Sequence, residues 1–265
     1  MNTVATLSSS SSRPELTAPA VSGIPMTTVI RVETRKLIDT LSGRWLLIAI
    51  GALTAVVLVA MWFTVEGTNA TFENYLSGTA SPLMMLLPVL GILAATSEWS
   101  QRTGLTTYTL EPRRLRVLVA KLVGSLMLGL ACIVLAFALA AAITAAGISA
   151  KNPAHPWSLS LAIAGGFVLA LMLSLAQGVA VGTLIPNTPA AVVVYFLVPF
   201  AWMFLMQWER MRTLRPWADL NSALRPLFEG GMTGQDWAHL AVATSIWVVL
   251  PLVAGALVLR RREVK

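Results

Sequence analysis

The sequence predicts an all-α membrane protein with six transmembrane helices, and three observations carry that prediction. Of its 265 residues, 56% are apolar and only 12% charged, with a mean hydropathy of +0.74. A soluble domain carries about 45–50% apolar and about 25% charged residues, so no water-facing surface of ordinary size can be built from so few charges. Six apolar runs approach or exceed the ~20 residues that a helix needs to cross the hydrocarbon core. Finally, lysine and arginine are grouped beside the ends of those runs instead of being scattered.

The runs are Trp45–Phe63, Thr79–Ser97, Val117–Ala146, Ser158–Ile185, Pro189–Met206 and Ala238–Leu259. The third and fourth are long enough to tilt or to extend past the headgroups. Arg31, Arg35, Lys36 and Arg44 precede span one. Arg102, Arg113, Arg114, Arg116 and Lys121 lie between spans two and three, and Arg260, Arg261, Arg262 and Lys265 close the chain. The intervening sides carry Glu66 and Glu73 after span one and only Lys151 after span three. Basic residues mark the cytoplasmic side, so both termini are expected in the cytoplasm, as an even number of spans requires.

The segment Gln207–Trp237 holds four arginines but also Glu209, Asp219, Glu229 and Asp236. Leu214, Trp217, Leu220, Leu224, Leu227 and Phe228 recur there at helical spacing. One or two amphipathic helices are expected, lying on or dipping into the outer leaflet. Ahead of span one, residues 26–44 read as a further amphipathic helix, with Met26, Ile30, Leu37, Ile38 and Leu41 on its apolar face. That helix is expected to lie on the cytoplasmic leaflet. Residues 1–25, which include the serine run Ser8–Ser12, lack the apolar core of a cleavable leader and read as a disordered cytoplasmic tail. Seven of the nine tryptophans (Trp45, Trp62, Trp99, Trp157, Trp208, Trp217 and Trp237) fall near span ends or interfaces, where such rings anchor.

The net charge of +7 sits beside apolar spans and has no basic face with interleaved aromatics, which argues for anionic headgroups and against nucleic acid. No Asp, Glu, Lys, Arg or His lies in the central part of a span; Glu98, Lys121, His155 and His239 stand at ends. Proton relays and charge-coupled transport place such groups inside the bilayer, so these readings lose ground. Lys121 is placed to snorkel to headgroups, and Gln177 to hydrogen-bond between helices. No converging ligands suggest a metal, and Cys132 is the only cysteine. A phosphate-cradling loop requires a Gly-Lys pair, and the sequence has none. Neither a cofactor nor an enzymatic site is expected on this chain.

Between spans two and three the sequence reads EWSQRTGLTTYTLEPRRLRVLVAK from Glu98 to Lys121. A Glu at the membrane exit, an Arg-Thr pair, a polar middle and Glu-Pro-Arg-Arg lead into the next span. This pattern resembles the integral-membrane permease subunits of the ABC-2 type transporters. The order of elements along nearly the whole chain is similar too, and Arg35–Trp45 (RKLIDTLSGRW) and Leu259–Lys265 (LRRREVK) look like actinobacterial members. Two features depart from the family: Gln101-Arg102-Thr103-Gly104 stands where Arg-Gly-Thr is common, and the polar extension is extra.

The resemblance implies a permease subunit of an ATP-binding-cassette exporter in the bacterial plasma membrane, moving a hydrophobic or amphipathic substrate. It further implies a separate ATPase dimer carrying ATP and Mg, and a second permease copy or a paralogous one. The loop would hold a coupling helix, with Glu98, Arg102, Thr103, Glu111, Pro112 and Arg113 at the ATPase interface. Pro186 and Asn187, in the turn between spans four and five, would form a second contact. The competing readings are a membrane enzyme, a non-transporting polytopic anchor or sensor, and an ion-coupled secondary transporter.

Overall fold

The computed structural model describes residues 24–100, 113–205, 207–209 and 213–261, and the expected tail lies outside them apart from Ile24 and Pro25. Every regular element among the described residues is helical. Six helices are long and apolar enough to cross a membrane: α2 (Leu41–Thr64), α3 (Phe72–Ser100), α4 (Arg114–Lys151), α5 (Leu161–Leu184), α6 (Thr188–Leu205), and a composite sixth span, Gly234–Arg260. The last is α9 (Gly234–Thr244), a π-helical segment (Ser245–Val249) and α10 (Leu250–Arg261). Ahead of α2 stands α1 (Met26–Asp39); before the sixth span come the short α7 (Arg215–Ala218) and α8 (Leu220–Glu229). The fold is that of a multi-pass helical membrane protein.

The helix expected over 26–44 is two helices. At Thr40 the backbone turns extended (φ −74°, ψ 144°), and the Thr40 hydroxyl accepts from Gly43 N–H at 3.2 Å to cap α2. The corner is so tight that a Cβ at Gly43 would stand 1.7 Å from the Leu37 carbonyl oxygen. The buried face of α1 also differs from the expected one: Val29, Glu33 and Leu37 turn inward, while Ile38 and Leu41 are exposed.

The centre of the bundle is the α3–α5 pair, the most extensive helix contact in the molecule. Small residues allow it. A Cβ at Gly91 would lie 2.4 Å from the Leu175 carbonyl oxygen, and one at Gly178 only 2.0 Å from that of Pro88. Without a hydrophobic drive between helices in lipid, such backbone approach is what holds spans together. Around it Leu83, Leu87, Leu90, Leu171, Leu175 and Val179 are fully buried. A file of edge-to-face rings, Phe72–Phe137–Phe167–Phe228, spaced 6.1, 5.7 and 6.0 Å between centroids, ties α3, α4, α5 and α8 together. Each such pair is worth about 0.5–1.5 kcal/mol beyond its buried area. By contrast α6 is peripheral, with Ala191 its only buried residue.

The amphipathic segment before the sixth span turns its apolar face onto the protein. Leu220, Ala223, Leu224 and Leu227 of α8 are buried against α5 and α9 around Ala170, whereas Leu214 and Trp217 stay exposed. Lys151, the one base after the third span, has a local role. Its ammonium donates to the carbonyls of Trp62 and Val65 at the end of α2 and lies 5.2 Å over the Trp62 ring.

Candidate functional site

Val29, Glu33 and Leu37 recur every four residues, so α1 presents them on one stripe. That stripe faces α4, where Gly124 allows close approach: a Cβ there would come within 2.8 Å of the Thr34 hydroxyl. Lys121 precedes Gly124 by three residues and so shares its face of α4. Glu98, two residues from the end of α3, completes a cluster of four charges.

Lys121 Nζ donates to Glu33 Oε2 at 2.7 Å and to the Ala94 carbonyl at 3.3 Å, and lies 3.4 Å from Glu98 Oε1. Lys36 Nζ donates to Glu33 Oε1 at 2.6 Å and to Glu98 Oε1 at 3.0 Å. Glu33, Glu98 and Lys121 are 5%, 2% and 5% exposed, and Lys36 is half-buried. Among the described residues, the two acids of the cluster balance its two bases. A buried charge without an opposite costs several kcal/mol, so each member holds the others in place. Burial opposes the charge on Lys36, but Glu33 and Glu98 beside it outweigh that effect and raise its pKa above the ordinary lysine value.

This geometry changes the reading of two residues. Lys121 does not snorkel to headgroups; it turns inward to Glu33. Glu98 faces the same interior cluster, where its buried carboxylate anchors the end of α3. Glu33 and Lys36 were missed as site residues, although the four-residue spacing of Val29, Glu33 and Leu37 and the pairing of Lys121 with Gly124 were in the sequence. What the sequence lacked was any sign that helices 88 residues apart meet at Glu33 and Lys121.

The remaining predicted site residues gather at the same end of the bundle where they are described. Arg113 precedes α4 and is exposed, lining a shallow groove with Arg114 and Arg260. Arg114 donates to the Leu259 carbonyl at 2.8 Å, a cation at the C-terminal end of a helix. Asn187 caps α6, its Oδ1 accepting from Ala190 N–H at 3.0 Å. One residue on, the Thr188 and Thr96 hydroxyls meet at 2.7 Å and join α6 to α3. Pro186 borders a cavity of about 20 Å³ together with Lys121, Trp99 and Leu259. Arg102, Thr103, Glu111 and Pro112 lie outside the described residues.

Among the described residues no three His, Cys, Asp or Glu side chains converge as metal ligands. The chain matches no model of a known protein family, and no curated protein matches it.

Proposed function

We propose that this chain is the permease subunit of an ATP-binding-cassette exporter of the ABC-2 type, driven by a separate ATPase that docks at the end holding α1 and the 101–112 segment. The observation that carries the reading is the Glu33–Lys36–Glu98–Lys121 cluster. It binds α1 to the end of α3 and the start of α4, the two helices from which the 101–112 segment springs. A push on that segment is then shared by three helices at once, because no member of the cluster can leave without stranding a buried charge. The basic groove of Arg113, Arg114 and Arg260 at the same end favours a cytoplasmic placement, with both termini inside. In this reading ATP and Mg belong to the partner, and a second permease copy completes the path.

The test is purification of the tagged chain from its native membranes in a mild neutral detergent. A protein with a phosphate-cradling loop is expected to co-purify. Reversing charge at Arg102 and Glu111 together should release it while leaving the thermal unfolding of the permease unchanged. Recovery without such an ATPase, or undiminished retention by the reversed variant, would sink the proposal.

A further inference from the structure

Away from the ion cluster a second feature stands out, a cavity of about 190 Å³ enclosed by α3, α5, α6, the elbow between α7 and α8, and the π-helical segment of the sixth span. Aromatic side chains make most of its wall: Tyr195, Phe196, Phe200 and Trp202 from α6, and Trp247 from the π-helical segment. Trp202 and Trp247 are the two tryptophans that an interfacial belt leaves over. Here they meet edge to face at 5.3 Å, and the Trp247 indole N–H donates to the Ala218 carbonyl at 2.7 Å, fixing the elbow.

Among the described residues, the one charged side chain in the wall is Asp219. Its carboxylate accepts from Asn221 N–H at 3.2 Å and from the Ser222 hydroxyl at 2.5 Å, both neutral donors, and among the described residues it forms no ion pair. The basic residue four positions earlier, Arg215, lines a different groove with Asp236.

Three of the wall residues share a second feature that points the same way. Met84, Tyr195 and Trp247 each stand four positions before a proline (Pro88, Pro199 and Pro251). Proline has no N–H to give the carbonyl four residues back, so each of these carbonyls lacks its ordinary helical donor. At Trp247 the backbone also widens into the π-helical segment, where Leu250 N–H reaches the Ser245 carbonyl. Such single-turn widenings recur at functional sites. Gln177 lines the cavity without a hydrogen bond to the described chain, so its expected packing role is not what the structure supplies. The Trp202 indole N–H is covered and has no acceptor among the described residues.

We infer that this cavity binds the head of a lipophilic organic cation, an alkylammonium group caged by the aromatic rings and balanced by Asp219. Ring faces attract a desolvated cation electrostatically, and carbonyls that lack helical donors add negative potential. Whole drug-sized ligands fill about 300–1,000 Å³, so 190 Å³ takes a headgroup and leaves the alkyl tail outside. Phe200, 62% exposed, and Asn221, also exposed, lie at the rim, so a tail can leave toward the flank of the bundle. The inference concerns binding, and stands whether or not the chain is a transporter.

The test is equilibrium binding of radiolabelled dodecyltrimethylammonium to the purified full-length chain in a neutral maltoside detergent, without any ATPase. Saturable binding of one cation per chain is expected. Asp219→Asn keeps an oxygen to cap α8 while removing the charge, and should weaken binding on the order of tenfold through the lost Coulombic attraction alone, since a quaternary ammonium donates no hydrogen bond. Trp202→Leu, which opens the cage, should weaken it as well, and Glu229→Gln, an acid outside the cavity, should not. The uncharged isostere with a tert-butyl head should compete on the order of tenfold less well. Unsaturable uptake, equal competition by the isostere, or unchanged affinity in Asp219→Asn would each overturn the inference.

Discussion

The two polar regions of this bundle are built on opposite principles. Where α1 meets α3 and α4, every buried charge among the described residues has an opposite within 3.4 Å. Around the π-helical segment, again among the described residues, an acid has no base, an indole N–H has no acceptor, and three carbonyls precede prolines by four residues. In a low-dielectric surrounding a closed network fixes geometry, whereas an open one leaves interactions for something else to make. The first region therefore reads as a joint and the second as a receptacle.

The sharpest way to break this contrast is to open the closed region. Lys121→Leu removes the buried base that Glu33 and Glu98 share, and should cost about 3–5 kcal/mol, the usual penalty for stranding a buried charge. Adding Glu33→Leu restores one acid to one base and should recover most of that loss. Unfolding by sodium dodecyl sulphate in mixed micelles measures both. A single variant within about 1 kcal/mol of wild type, the range of an exposed pair, would show that the cluster is not a joint.

Next in size is a change that should strike both regions at once. α3 contributes to each, and it touches α5, which lines the cavity, through Gly91 and Gly178. Gly178→Ala places a Cβ 2.0 Å from the Pro88 carbonyl oxygen, which only backbone separation relieves. Overpacking of this kind costs about 1–3 kcal/mol, and both the unfolding midpoint and cation binding should fall together. If stability falls and binding does not, the cavity does not depend on the central pair.

The spans were legible because a run of apolar residues long enough to cross a bilayer is a local signal, and all six appear, the second starting at Phe72 well ahead of its expected Thr79 and the others close to their expected limits. The joint was only half legible. Glu98 and Lys121 stand out by their places at span ends, but nothing in the sequence singles out Glu33. Periodicity weighs apolar side chains, and α1 buries a carboxylate at the centre of its packed stripe because a lysine on α4 neutralises it. Likewise the apolar residues of α8 signalled an amphipathic helix without revealing that α5, and not lipid, takes its face. The three prolines were visible too; that the residues four positions before them converge on one cavity is a fact of tertiary packing.

Smaller effects test whether isolated charges can also close a gap. Lys151 caps the exposed carbonyls at the end of α2. A cation at a helix C-terminus is worth about 0.3–1 kcal/mol, more when partly buried. Lys151→Met should therefore speed amide hydrogen exchange over Trp62–Glu66 while leaving the far end of α2 unchanged. Acceleration along the whole helix would mean that Lys151 holds the span, not merely its last turn.

The finest discrimination is by pH, through Lys36. Its pKa in the folded protein lies above the ordinary 10.5, because Glu33 and Glu98 outweigh burial. A group bound more tightly to its proton when folded adds stability that is fully present below its unfolded pKa and is lost as pH rises through the folded one. Comparison with Lys36→Met isolates that contribution from the other lysines that titrate in the same interval. The wild-type advantage in unfolding midpoint should be constant up to about pH 10 and shrink above it. Partial exposure of Lys36 keeps the advantage small, since water screens it on one side. A difference that grows with alkalinity would place the proton on the wrong side of the balance, and with it the account of Lys36 as the outer member of a closed cluster.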